Sequence, residues 1–107
     1  MERVAFLLKI KPGVASEYRR RHEQIWEEML AALRQAGAAN YSIFLGPDEV
    51  TLFAYLEAIP DFASMVARIN ADPVNERWQE YMRDIMVSEV DPVTGWAPRL
   101  SELFHIA

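Results

Sequence analysis

The first clear alternation lies at the start of the chain. In Val4-Ala5-Phe6-Leu7-Leu8-Lys9-Ile10 the alternate residues Val4, Phe6, Leu8 and Ile10 share one face of an extended strand. Lys11-Pro12-Gly13 ends it, because proline brings no backbone donor and glycine favours a turn. From about Val14 to Ala36 the period changes. Val14, Tyr18, His22, Ile25, Met29, Leu33 and Ala36 follow at helical intervals and form an inward stripe about 100° wide. Arg19, Arg20, Glu23, Glu27 and Arg34 fall outside that stripe, so the spacing predicts one amphipathic helix closed by Gly37.

Two short strands follow, Tyr41-Ser42-Ile43-Phe44-Leu45 and Thr51-Leu52-Phe53-Ala54-Tyr55-Leu56, joined by Gly46-Pro47-Asp48-Glu49 as an antiparallel hairpin. Asp61 is placed to cap a short helix carrying Phe62, Met65, Val66 and Ile69. Asp72-Pro73 repeats the signal, with proline at the first helical position, and opens a helix with Val74, Trp78, Tyr81, Met82 and Ile85 on one side. A loop holding Pro92, Gly95 and Pro98 leads to a last strand from Leu100 to Ile106. The order strand, helix, strand, strand, helix pair, strand predicts an α+β fold. It is a ferredoxin-like antiparallel sheet with helices on one face, formed by a single domain over residues 1–107. The other face of such a sheet needs cover. The first and third strands carry apolar residues on both faces, so a homodimer is expected.

Composition narrows the function classes. The formal net charge of −5 argues against a nucleic-acid partner, which would need clustered Lys and Arg. The one basic run, Arg19-Arg20-Arg21, is followed by Glu23, Glu27 and Glu28 and is expected to be a solvated helix face. With no cysteine there is no disulfide, thiolate nucleophile or Cys-based metal site, which fits a reducing cytoplasm. No apolar run approaches the ~20 residues that span a bilayer. Lys9 and Lys11 interrupt any signal-peptide pattern, so a cytoplasmic location with no membrane partner is expected.

The two histidines are unequal. His105 lies two residues from the end in the last strand and is expected to have no role. His22 is on the inward stripe, where an imidazole is either held by a structural hydrogen bond or lines a cavity. Tyr18 precedes it by one helical turn and so neighbours it on the same face. Tyr41 opens the strand expected beneath that helix, and Trp78 begins the apolar face of the last helix. Two phenols, an imidazole and an indole facing inward would give flat apolar walls with a few hydrogen-bonding groups. Such a pocket suits a monosaccharide, whose C–H faces stack on rings and whose hydroxyls need partners. His22 and Glu23 are too divergent for a metal site. No glycine motif cradles a phosphate, and the serines lack the strained elbow of a nucleophile. Proton transfer by histidine is the chemistry that remains.

The stretch Glu17-Tyr18-Arg19-Arg20-Arg21-His22-Glu23-Gln24-Ile25-Trp26-Glu27-Glu28-Met29 resembles the Tyr-x-x-(Arg/Lys)-His-x-x-Ile-Trp-x-Glu signature of the L-rhamnose mutarotases. Gly37-Ala38-Ala39-Asn40-Tyr41-Ser42-Ile43 is similar to that family's second motif. Arg77, Trp78, Tyr81-Met82 and Asp84-Ile85-Met86 are similar to the third, and Ser101-Glu102-Leu103-Phe104 to the C-terminal strand. The likeness runs in order over nearly the whole chain. It implies a dimeric α+β barrel with one sugar site per subunit and no cofactor. His22 would be the proton donor, and Tyr18, Tyr41 and Trp78 sugar contacts. The family's second adjacent tryptophan is replaced here by Gln79, which is expected to hydrogen-bond a hydroxyl of L-rhamnose or another 6-deoxyhexose. The segment around Glu49-Val50-Thr51 and the loop from Val87 to Pro98 depart from the family pattern.

The implied mechanism has protonated His22 donating to the pyranose ring oxygen as the anomeric hydroxyl loses its proton. The ring opens, the C1–C2 bond rotates, and closure gives the other anomer. Two rivals share the fold: cofactor-free monooxygenases acting on aromatic substrates, and a non-catalytic sugar-binding module.

Overall fold

The chain was analysed in a computed structural model, which describes residues 1–87 and 90–107. Four strands, β1 (Glu2–Lys9), β2 (Ala38–Leu45), β3 (Thr51–Ala58) and β4 (Arg99–Leu100), form one antiparallel sheet in the order β2-β3-β1-β4. The alternation of β1 sets its layers. Val4 stands opposite Leu56, Phe6 opposite Ala54 and Leu8 opposite Leu52, and these side chains share the core with the helices. The intervening pairs, Ala5 with Tyr55 and Leu7 with Phe53, belong to the opposite face. With α3 (Phe62–Asn70) and α4 (Pro73–Met82) this is the expected α+β, ferredoxin-like arrangement.

The single helix expected from Val14 to Ala36 is two helices, α1 (Ala15–Glu23) and α2 (Glu27–Ala36). The backbone leaves the helix at Gln24 and turns extended at Trp26, with φ −61° and ψ 136°. The Trp26 carbonyl then accepts from Met29 and Leu30 at 3.0 and 3.1 Å, which starts α2. No proline or glycine marks the break, so spacing alone misses it. The break seats the Trp26 indole against Trp78 and Tyr81, with ring centroids 5.1 and 5.5 Å apart. The inward stripe survives it: Tyr18, Met29 and Ala36 are buried, and His22, Ile25 and Leu33 half-buried.

Gly37 ends α2 in the left-handed region at φ 108°, and a Cβ there would lie 2.0 Å from the Ile59 carbonyl oxygen. The caps of α3 and α4 are those expected. Asp61 accepts from the Ser64 N–H at 2.8 Å and Asp72 from the Val74 N–H at 3.1 Å, with Pro73 in the first turn. A 3₁₀ turn, Arg83–Ile85, extends α4.

The last strand is much shorter than expected. Only Arg99 and Leu100 pair with β1, opposite Phe6 and Ala5. Beyond them Arg3 is joined to Glu102 by an ion pair of 2.6 Å, without a ladder. Leu103, Phe104 and Ile106 are 94%, 81% and 79% exposed, because among the described residues no layer covers them.

Candidate active site

The site begins with a change of parity in β2. Ala38 and Ala39 face Ala58 and Glu57, but Ser42 faces Tyr55, so β2 carries one extra residue between them. Asn40 takes φ 47°, and its side chain donates to Glu57 at 2.7 Å. Strict alternation from the buried Ala38 would send Tyr41 to the open face. The bulge turns it to the helix side instead. There Tyr41 meets Phe6 edge-on, with ring centroids 6.0 Å apart.

On α1, Tyr18 and His22 stack with centroids 4.2 Å apart and an interplanar angle of 22°. His22 Nδ1 lies 3.1 Å from the Tyr18 carbonyl oxygen. A carbonyl only accepts, so Nδ1 carries the hydrogen and neutral His22 keeps a lone pair on Nε2. Trp78 of α4 meets the imidazole edge-on at 5.4 Å. Burial lowers the His22 pKa below its ordinary 6.5, opposed by the bond to the Tyr18 carbonyl. Burial pushes both phenols above their ordinary 10, with the Tyr18 phenol adding to the shift at Tyr41. At neutral pH the cavity therefore presents a neutral imidazole and two protonated phenols.

Tyr18, His22, Tyr41, Trp78 and Gln79 all line one open cavity of about 970 Å³, at the upper end for ligand sites. Its apolar walls come from Phe6, Ile10, Met29 and Leu52, among others. His105 is apart from it, close to Glu102 at 4.0 Å in the exposed tail. Among the described residues no three His, Asp or Glu side chains gather in a metal-ligating cluster.

Three contributors lay outside the expected set. Trp96 lines the same cavity and meets Phe6 and Phe62 edge-on at 5.7 and 6.4 Å. It comes from the loop between Val87 and Pro98, of which residues 88 and 89 lie outside the described residues. A tryptophan in a Pro/Gly-containing loop was the available signal, since no periodic element used it. Trp26 packs behind Trp78, which depends on the helix break.

The third is Arg21, which leaves the solvated basic run. Its side chain is only 10% exposed, against 82% for Arg19. Arg21 donates to both oxygens of Asp84 at 2.8 and 3.1 Å, to Glu17 at 2.7 Å and to the Tyr81 carbonyl at 2.9 Å. Its guanidinium also lies 4.7 Å from the Tyr81 ring centre. Arg20 and then Arg21 pull the Glu17 carboxyl down to about 2, and Arg21 lowers Asp84. The residue before His22 thereby ties α1 to the end of α4.

Comparison with known proteins agrees with this arrangement. A sequence model of L-rhamnose mutarotase matches residues 3–106. The chain is 42% identical over 105 residues to an L-rhamnose mutarotase of Enterococcus faecalis, covering 96% of this chain and 100% of that one. It is 41% identical over 109 residues to one of Listeria monocytogenes, covering both chains fully. The crystal structure of L-rhamnose mutarotase from Formosa agariphila superposes with a TM-score of 0.80 at 31% identity over 100% of both chains. Tetracenomycin F2 cyclase from Streptomyces glaucescens shares the fold alone, with a TM-score of 0.63 at 11% identity over 100% of this chain and 98% of that one. With Tyr18, His22 and Ile25 of its signature lining one cavity and the match running over residues 3–106, the chain belongs to the L-rhamnose mutarotase family.

Proposed function

We propose that this chain interconverts the α and β anomers of L-rhamnose or a closely related 6-deoxyhexose, with His22 moving the proton. The observation that carries the reading is the Tyr18 carbonyl on His22 Nδ1, which leaves Nε2 as the basic nitrogen of a cavity-lining imidazole. Mutarotation takes a proton from the anomeric hydroxyl and delivers one to the ring oxygen, and both oxygens are bonded to C1. Neutral His22 accepts the hydroxyl proton at Nε2 as the C1–O bond to the ring oxygen breaks. The imidazolium so formed gives that proton to the departing ring oxygen, which is the donor role implied by the family likeness. Rotation about C1–C2 and the reverse steps close the other anomer, and the imidazole ends neutral. Help of this kind is typically worth ~10²–10⁴-fold in rate.

Tyr18 and Tyr41, held as neutral phenols, orient hydroxyls by donating or accepting. Trp78 offers a flat wall to a C–H face, and Gln79 a polar group at the rim. The reading calls for a monosaccharide and for no cofactor. Assembly as a homodimer and a cytoplasmic location complete it. The dimer is supported by Phe44 and Phe53, adjacent on the uncovered sheet face and 64% and 44% exposed. Among the described residues no helix is long and apolar enough to cross a membrane.

Exchange between the anomers of L-rhamnose, followed by NMR with and without the protein, tests the proposal. Acceleration that disappears in His22→Ala is the expected result. Binding of the sugar with no acceleration would make the chain a sugar-binding module instead.

A further inference from the structure

Three side-chain amides run in series along the cavity, between the end of α3, the first turns of α4 and the turn before β4. Asn70 Nδ2 donates to the Gly95 carbonyl at 3.1 Å. Asn75 Nδ2 reaches Asn70 Oδ1 at a longer 3.5 Å, and Gln79 Nε2 donates to Asn75 Oδ1 at 3.2 Å. All four residues line the cavity that holds His22. Asn75 is the one polar side chain among the buried residues described, so its amide has few other partners to turn to.

The direction of this chain follows from its anchor. The Gly95 carbonyl accepts only, so Asn70 must present Nδ2 to it and Oδ1 to Asn75. Asn75 then presents Nδ2 to Asn70 and Oδ1 to Gln79, and Gln79 must donate through Nε2. Its Oε1 takes no part in the series, on a residue that lines the cavity.

We infer that Gln79 Oε1 accepts a hydrogen bond from a hydroxyl of the bound monosaccharide, with Asn70 and Asn75 as positioning residues that fix this polarity. The inference rests on the reading of the cavity as a sugar site. It makes the substrate a sugar with a hydroxyl donor at this wall, and a deoxy position there leaves the acceptor without a partner. Gln79 is exposed, so water still reaches an unpaired Oε1 and the discrimination is graded. A single neutral hydrogen bond of this kind is worth about 3- to 10-fold in affinity.

The test is a cycle between protein and ligand. L-rhamnose, its 2-, 3- and 4-deoxy analogues and L-mannose, which exchanges the C6 methyl for a hydroxymethyl, are titrated into the full chain by calorimetry. The proteins are the unmodified chain, Gln79→Met, which keeps the length without the acceptor, and Asn70→Ala. The expected result is one pair of sugars, differing in a single hydroxyl, that the unmodified chain separates by about 3- to 10-fold. That gap closes in Gln79→Met and narrows in Asn70→Ala, a ratio that general destabilisation does not move. Equal gaps in the unmodified chain and Gln79→Met for every pair overturn the hydroxyl readout while leaving the sugar site intact. No binding of any of these sugars to the unmodified chain overturns both the sugar site and the readout.

Discussion

His22 stacks on the ring of Tyr18 and at the same time directs Nδ1 at the Tyr18 carbonyl oxygen, 3.1 Å away. One residue thus supplies both a flat apolar support and the acceptor that selects the tautomer. Because burial holds the His22 pKa below 6.5, the neutral form that the proposed mechanism needs predominates at neutral pH. The catalysed exchange rate should be flat above neutrality and fall on acidification, with its midpoint below 6.5. Stability has the same sign. The unfolded chain holds the His22 proton more tightly than the folded chain, so folding is penalised as pH drops below 6.5 and unaffected above it. A pH series of anomer exchange by NMR, paired with urea unfolding at acidic and neutral pH, reads both effects. An acid limb centred above 6.5 would contradict the desolvated imidazole.

The bulge at Asn40 makes a second, separable prediction. Asn40 holds φ 47°, which glycine adopts freely and a β-branched residue resists. Asn40→Gly should fold nearly as well as the parent. Asn40→Val should lose about 1–2 kcal/mol from the backbone alone. It should also raise KM, because Tyr41 reaches the cavity only through the parity that Asn40 resets. If Asn40→Val kept the parental KM, Tyr41 would not depend on the bulge for its position.

Much of this was legible in the sequence because two periods carry it. The alternation of Val4, Phe6, Leu8 and Ile10 named the core face of β1, and Asp61 and Asp72 named their helix starts. The inward stripe brought Tyr18 and His22 together. The break at Trp26 and the bulge at Asn40 were not legible, since each is decided by a partner distant in sequence. Trp26 leaves its helix to meet Trp78, and Asn40 bonds Glu57 across the hairpin. The last strand was over-read for a related reason. Alternation in Leu103, Phe104 and Ile106 describes side chains suited to burial, and among the described residues nothing covers them.

Gly37 tests the junction between α2 and β2. Its φ of 108° is unfavourable for any L side chain, and an added Cβ would stand 2.0 Å from the backbone oxygen of Ile59. Since the obstacle is main chain on an adjoining segment, no rotamer change relieves it. Gly37→Ala should lose more than about 3 kcal/mol by urea denaturation. A loss under about 1 kcal/mol would mean that the two segments separate easily.

Arg21 links the histidine helix to the segment carrying Trp78 and Tyr81 through bonds to Glu17, Asp84 and the Tyr81 carbonyl. Lysine keeps the charge but cannot make the forked contact with Asp84. Arg21→Lys should therefore lower kcat/KM for anomer exchange by roughly tenfold with the fold retained, as misplacement of a reacting group does. Arg20→Lys, on an exposed neighbour bonded chiefly to Glu17 on its own helix, is the control and should change little. Equal effects from the two substitutions would reduce Arg21 to a surface charge.

The uncovered sheet face gives the last prediction. Phe44 and Phe53 stand opposite each other in the register, with Leu7 and Leu100 on neighbouring strands. Leu103, Phe104 and Ile106 lie in the exposed tail beyond β4. Burial at ~25 cal/mol per Å² makes such a face costly to leave in water, and a second copy offers the same apolar surface in return. In the proposed homodimer, the double substitution Phe44→Lys with Phe53→Lys should convert the sedimenting species from dimer to monomer. Its far-UV circular dichroism should be unchanged, because neither side chain belongs to the core between sheet and helices. A parent chain that sediments as a monomer at micromolar concentration would rule the dimer out. A lysine pair that still dimerises would move the interface elsewhere, with the apolar tail as the next surface to remove.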